Sequence, residues 1–211
     1  ADVPKQHSHE EEEEGPHGKP KSYRTEQLID KRPIDASVFP YLVDDFEGAN
    51  LKKWLNQDSG ATKSAIVFVD DASSGAKAAK ISFSGEQKTG SWTNLFYNLG
   101  VGGWPAGGNV VTFWAKAPKE CRVRLKVNQG AQHDEWEFYQ TDGLVIGTEW
   151  KKYTVPLAKL DEREWGHIAP PSGKVLTHIA FGIGFKEVDL PVEFLVDRIQ
   201  IERVSAAESK R

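Results

Sequence analysis

From about Val38 onward, apolar and polar residues alternate with a period of two, and no stretch sustains the 3.6-residue period of an amphipathic helix. The clearest case is Cys121 to Asn128. There Val123, Leu125 and Val127 interleave with Arg122, Arg124, Lys126 and Asn128. Further strand-like runs are Tyr41 to Glu47, Ala65 to Val69, Ala79 to Phe83, Thr93 to Tyr97, Val110 to Trp114, Glu135 to Gln140, Trp150 to Val155, Ile179 to Phe185 and Glu193 to Glu202. Turn signals separate them, among them Ser73-Ser74-Gly75, Gly102-Gly103, Gln129-Gly130 and Asp142-Gly143. Only Leu157 to Trp165 has the makings of a helical turn. Roughly ten or eleven short strands without a helix predict an all-β fold, a jelly-roll β-sandwich of two antiparallel sheets.

The chain has 211 residues, and seven Trp and ten Phe supply bulky apolar bodies for one core. A formal charge of −4 argues against nucleic acid as a partner, since phosphate binding needs a basic surface. No apolar run approaches the ~20 residues of a membrane span, so no membrane insertion is expected. The single Cys121 excludes an intrachain disulfide and any multi-cysteine metal site, and reads as a packed thiol. An Ala1-Asp2 start is what signal-peptide cleavage after a small residue would leave, which suggests a secreted or cell-envelope location.

Residues 1–36 differ from the rest. His7, His9, the run Glu10 to Glu14 and His17 stand among Pro, Gly and Lys with almost no apolar periodicity. This composition reads as a flexible His/Glu-rich tail or linker, able at most to hold a divalent ion weakly. The expected domain is 37–205, followed by a short tail at 206–211. The first and last strands of that domain carry acids among apolar residues, Asp44, Asp45 and Glu47 in one and Asp197 in the other. A buried carboxylate is costly without a cation or hydrogen-bond donors, so these strands suggest a sandwich pinned by a metal. In the alternation, Asp197 falls on the face of Leu195, Ile199 and Ile201.

Asp44-Asp45-Phe46-Glu47-Gly48, Ser74 to Ala79, Val111 to Lys116, Glu149 to Tyr153 and Val196 to Ile201 occur in an order that resembles the jelly-roll carbohydrate-binding modules of bacterial polysaccharide-degrading enzymes. The likeness spans about residues 41–203. It implies a structural calcium between the first and last strands, held by Asp45 and Glu47, Asp197, Asp71 and the carbonyl of Lys77. Ca²⁺ takes six to eight hard oxygen ligands and accepts backbone carbonyls.

The polar row Arg122, Arg124, Lys126 and Asn128 must lie opposite the core. Alternation also sends Trp114 outward on the preceding strand, Glu135, Glu137 and Tyr139 on the following one, and His178, Ala180, Gly182 and Gly184 near the end. If these strands are neighbours, they form a charged platform with two aromatics beside a trough of small residues. Aromatic faces stack on pyranose C–H faces, and Arg, Asn and Glu bond hydroxyls or uronates. Cross-strand ion pairs on a solvated sheet are the competing reading. Trp92 and Trp104 in turn-rich segments offer further sugar platforms, and Trp54 and Trp150 read as packing residues.

The function expected is noncatalytic binding of a polysaccharide, by a module fused to or associated with a catalytic domain or standing alone. A lyase or glycoside hydrolase acting on an acidic polysaccharide is the first alternative, and a structural or adhesion domain the second. Glu135 and Glu137 share a face at a spacing a glycosidase could use, yet neighbouring Arg residues would keep both ionised.

Overall fold

The computed structural model describes residues 39–48, 50–86, 92–100, 103–129, 138–141, 143–162, 176–183 and 190–205. Its strands in chain order are β1 (Tyr41–Asp44), β2 (Trp54–Asp58), β3 (Thr62–Val69), β4 (Ala78–Gly85), β5 (Thr93–Asn98), β6 (Val110–Lys116), β7 (Cys121–Gln129), β8 (Phe138–Gln140), β9 (Leu144–Ile146), β10 (Lys151–Pro156), β11 (Asp161–Glu162), β12 (Leu176–Ile183) and β13 (Val192–Glu202). The turn expected after Leu157 is a single 3₁₀ turn over Leu157–Lys159, and β11 follows it. Among the described residues no helix is long and apolar enough to cross a membrane. The expected tails, 1–36 and 206–211, lie outside the described residues.

The strands form two antiparallel sheets, as the period-two pattern predicts. One runs β10-β6-β13-β4-β3, with β1 paired to the far half of β13. The other runs β11-β8-β7-β12-β5-β2, with β9 extending β7. Alternate side chains of each sheet meet between the layers. Phe181 of β12 sits at the centre, edge-on to Phe113 at 5.1 Å and to Phe194 at 5.5 Å, with Trp54 stacked on it at 6.3 Å. All four are buried, and each contributes roughly 1.5–3 kcal/mol by leaving water. Trp54 is therefore a packing residue.

Two sequence expectations fail here for identifiable reasons. Trp114 lies on β6, in the opposite sheet from β7, so it is not on the face of Arg122, Arg124, Lys126 and Asn128. The Ala117 to Glu120 connection carries the chain across the sandwich, whereas a local turn signal reads equally well as a hairpin between neighbours. Asp197 does not share the core face of Ile199 and Ile201. The register of β13 slips between Asp197 and Gln200 around Arg198, whose φ is 47°. Phe194 and Val196 point inward before this bulge and Ile199 and Ile201 after it, while Asp197 pairs with Trp114 on the outer side. A one-residue bulge reverses the parity of everything beyond it.

Candidate functional site

The outer face of the β7-β12-β5 sheet is built by register. Arg124, Lys126 and Asn128 of β7 stand opposite Gly182, Ala180 and His178 of β12, which stand opposite Asn94, Phe96 and Asn98 of β5. Gln140 of β8 completes the Lys126 row. Asn94, Asn98, Lys126 and Gln140 are 7, 5, 8 and 3% exposed. A merely solvated sheet face would leave such side chains in water, so this one is recessed. Asn94 Oδ1 and Gln140 Oε1 are buried and have no hydrogen-bond partner. Acceptors in that state carry a desolvation cost of about 1–3 kcal/mol each until a donor reaches them.

The small residues do not leave an open trough. Gly182 sits beneath the Asn94 amide and the Lys126 methylenes, and a Cβ at this position would run into Asn94 Oδ1. Phe96 meets the His178 ring edge-on at 5.2 Å, and Thr177 Oγ1 lies 2.7 Å from His178 Nδ1. Burial pushes the imidazole down to about 4, so it is neutral near neutral pH.

The remaining expected ligand residues scatter. Arg122 is exposed at the β9 end of the sheet, its stem packed over Gly143. Trp92 is half-buried at the start of β5, its N–H donating to Ser59 Oγ at 2.7 Å. Glu135, Glu137 and Gly184 lie outside the described residues. The backbone register sets Tyr139 opposite Val127 and Gln140 opposite Lys126. Trp104 is buried, with its indole N–H bonded to the Gly108 carbonyl, and offers no platform.

At the opposite corner the acids of the first and last strands converge on the β3–β4 loop. Asp197 is fully buried, and its Oδ2 accepts the N–H of Ser73 and of Ser74, each at 3.0 Å, and the Ser73 hydroxyl. Asp197 Oδ1 has no hydrogen-bond partner. Glu47 Oε1 accepts the N–H of Ala76 at 2.7 Å and of Lys77 at 3.0 Å, and these donors hold its carboxyl below the usual range. Gly75 has φ +78°, and a side chain there would collide with Glu47. Phe46, next to Glu47, has φ 60°, so a left-handed residue accompanies each of the two acids.

Asp45 instead caps the Glu47 N–H at 3.2 Å. Asp71 turns away to Lys116 at 2.6 Å and Trp150 Nε1 at 3.2 Å, and the ammonium above all keeps its carboxyl low. Among the described residues no three His, Cys, Asp or Glu side chains converge on one cation position.

The sandwich can be compared with solved structures. A family 11 carbohydrate-binding module of the cellulosomal cellulase Lic26A-Cel5E of Clostridium thermocellum superposes with a TM-score of 0.65 at 17% identity, covering 79% of this chain and 96% of that one. A second structure of a Clostridium thermocellum family 11 module, in complex with a β-1,3-1,4-mixed-linked tetrasaccharide, gives 0.62 at 17% identity over 77% and 94%. This chain has the β-sandwich fold of carbohydrate-binding modules. An exo-β-agarase matches at 0.54 and 11% identity, over 78% of this chain but 26% of the agarase. No protein-family model and no curated protein sequence matches.

On the outer face of β7, β12 and β5, the residues that sequence reasoning missed are Asn94, Phe96, Asn98 and Gln140. The first three had a signal, since Asn94, Phe96 and Asn98 alternate with Thr93, Leu95 and Tyr97 along a recognised strand. All six residues of β5 are buried, which hides the difference between its two faces from composition alone.

Proposed function

We propose that the chain is a noncatalytic polysaccharide-binding module whose ligand lies along the outer face of β7, β12 and β5. The observation that carries this is the pair of recessed acceptors, Asn94 Oδ1 and Gln140 Oε1. A sugar hydroxyl supplies the donor each acceptor lacks once the groups covering it shift, and the free energy of satisfying them is gained only on binding. Arg124, Lys126 and Asn98 add polar groups on the same face, and the Phe96 ring offers an apolar edge to pyranose C–H groups. The module fold, in a neighbour bound to a mixed-linked tetrasaccharide, supports the same reading. The location that goes with it is extracytoplasmic, alongside a fused or associated catalytic domain.

The test is incubation with a panel of insoluble and soluble glycans, reading both retention of the protein and chain length of the glycan. Retention without shortening is the expected outcome. Shortening would overturn the noncatalytic reading, and absence of both would favour an adhesion role.

We also propose that the corner between β1, β13 and the β3–β4 loop holds a structural calcium. The buried, unpartnered Oδ1 of Asp197 fits a cation ligand, and Glu47, which meets the same β3–β4 loop through the Ala76 and Lys77 N–H groups, would join it with the Lys77 carbonyl in one oxygen set. Asp71, engaged by Lys116 and Trp150, is not part of that set. The ion would brace the loop and take no part in chemistry.

A further inference from the structure

The β10-β6-β13-β4-β3 sheet carries a groove of its own, of about 300 Å³, on its outer face. Leu195 of β13 and Pro118 of the β6–β7 turn give it an apolar floor. Asp71 from the β3–β4 loop, Lys116 at the end of β6, Thr148 from the β9–β10 turn and Glu193 form its rim. One wall is fixed before any ligand arrives. Asp71 accepts Lys116 at one oxygen and the Trp150 indole N–H at the other, while the same ammonium lies 5.4 Å from the Trp150 ring centre. Three segments distant in sequence are thereby locked, and a preordered wall loses little entropy on binding.

The charges select the occupant. Asp71 and Lys116 neutralise each other, which leaves Glu193 as the exposed carboxylate without an ion-pair partner among the described residues. An acidic ligand would meet repulsion there. A purely apolar one would strand the Thr148 hydroxyl and the Glu193 carboxylate. A ligand with hydroxyl donors on its rim and C–H groups on one face matches both floor and rim, and the volume lies at the lower end for small-molecule sites.

We propose that this groove is a second glycan subsite, taking one or two neutral pyranose units on the sheet opposite the first face. The class of ligand rests on the polysaccharide-binding reading of that first face. Because the two sites lie on opposite layers of the sandwich, one extended chain cannot run through both. The consequence is a protein that bridges two glycan chains.

The experiment is a ¹H–¹⁵N NMR titration of the full chain with cellotetraose, a mixed-linked β-1,3-1,4 tetrasaccharide, laminaritetraose and neoagarotetraose, each to millimolar concentration. The expected result is movement of the Thr148, Lys116 and Leu195 amides with an isotherm of their own. Glu193→Ala should weaken that isotherm at least tenfold and leave the shifts of Arg124 and His178 intact, and Trp150→Ala should do the same by freeing Asp71. Groove amides that stay still with every sugar while Arg124 and His178 move would overturn the second site and leave the first standing. Movement at the groove alone would overturn the first face instead, and stillness at both would overturn both.

Discussion

Asp197 and Ser73 lie 124 positions apart in sequence, and the hydroxyl of one donates to the carboxylate of the other at 2.7 Å. With the N–H groups of Ser73 and Ser74, this bond fastens the β3–β4 loop to the last strand. Asp197→Ala strips three donors of their acceptor, and should cost about 2–4 kcal/mol in a denaturant titration. Ser73→Ala removes one donor of the three and should cost about 1 kcal/mol. Equal losses for the two variants would mean that the carboxylate is not the organising group.

The proposed calcium makes a separate prediction for the same corner. Added Ca²⁺ should raise the melting temperature of the stripped wild-type protein, by the equivalent of about 2.7 kcal/mol at a hundredfold excess over Kd. In Asp197→Asn the response should vanish, because a neutral amide is a poor ligand for a hard divalent ion. A stripped wild-type sample that ignores Ca²⁺ would count against the ion.

If Gln140 Oε1 is held in reserve for a ligand, then Gln140→Met should keep or slightly raise the melting temperature while reducing glycan retention severalfold. The substitution preserves volume and removes an acceptor that the free protein leaves unsatisfied. Gly182→Ala should abolish retention by another route, since its Cβ displaces the Asn94 amide and crowds Lys126 Cε at 3.1 Å. Loss of stability in Gln140→Met comparable to that of a core truncation would mean that its amide is structural.

His178 provides a pH signature. Its folded-state value is about 4 against an ordinary 6.5, so between those limits the unfolded chain binds more protons than the native one. Stability should therefore fall as pH is lowered from 6.5 to 4, by at most about 1.4 kcal/mol per pH unit from this group. His178→Phe should flatten that part of the curve, measured as melting temperature against pH. An unchanged slope in the variant would assign the acid sensitivity elsewhere.

The sandwich was legible because alternation is local, and because each long strand carries enough apolar residues to declare its inner face. Which strands are neighbours was not legible. Val111, Phe113 and Ala115 look the same whether the next strand pairs with them or crosses to the other layer, and Trp114 was misplaced for that reason. Asp197 was misjudged because a bulge at a non-glycine residue, Arg198, leaves no composition signal. The acidic corner itself could be read, since Glu47 and Asp197 do meet the same loop. Asp71 could not be, because its attachment to Lys116 and Trp150 depends on how three distant segments come together.

The two sheets give the sharpest contrast for the binding face. Arg124 belongs to β7, opposite Gly182 and two strands from Asn94, inside the row assigned to the ligand. Trp114 belongs to β6, opposite Lys152 and Asp197, on the far layer. An aromatic is the residue a sugar-binding surface is usually credited with, so composition alone would rank Trp114 first. The topology reverses the ranking. Arg124→Ala should weaken retention of the preferred glycan about tenfold or more, as loss of a charged hydrogen-bond donor costs about 1.5–3 kcal/mol. Trp114→Ala should leave retention on that face unchanged, and its effect should appear as a lower melting temperature, since Trp114 stands opposite the buried Asp197 within the other sheet. Affinity measured by calorimetry beside a thermal melt separates the two. Loss of affinity in Trp114→Ala at unchanged stability would move the principal site to the other sheet.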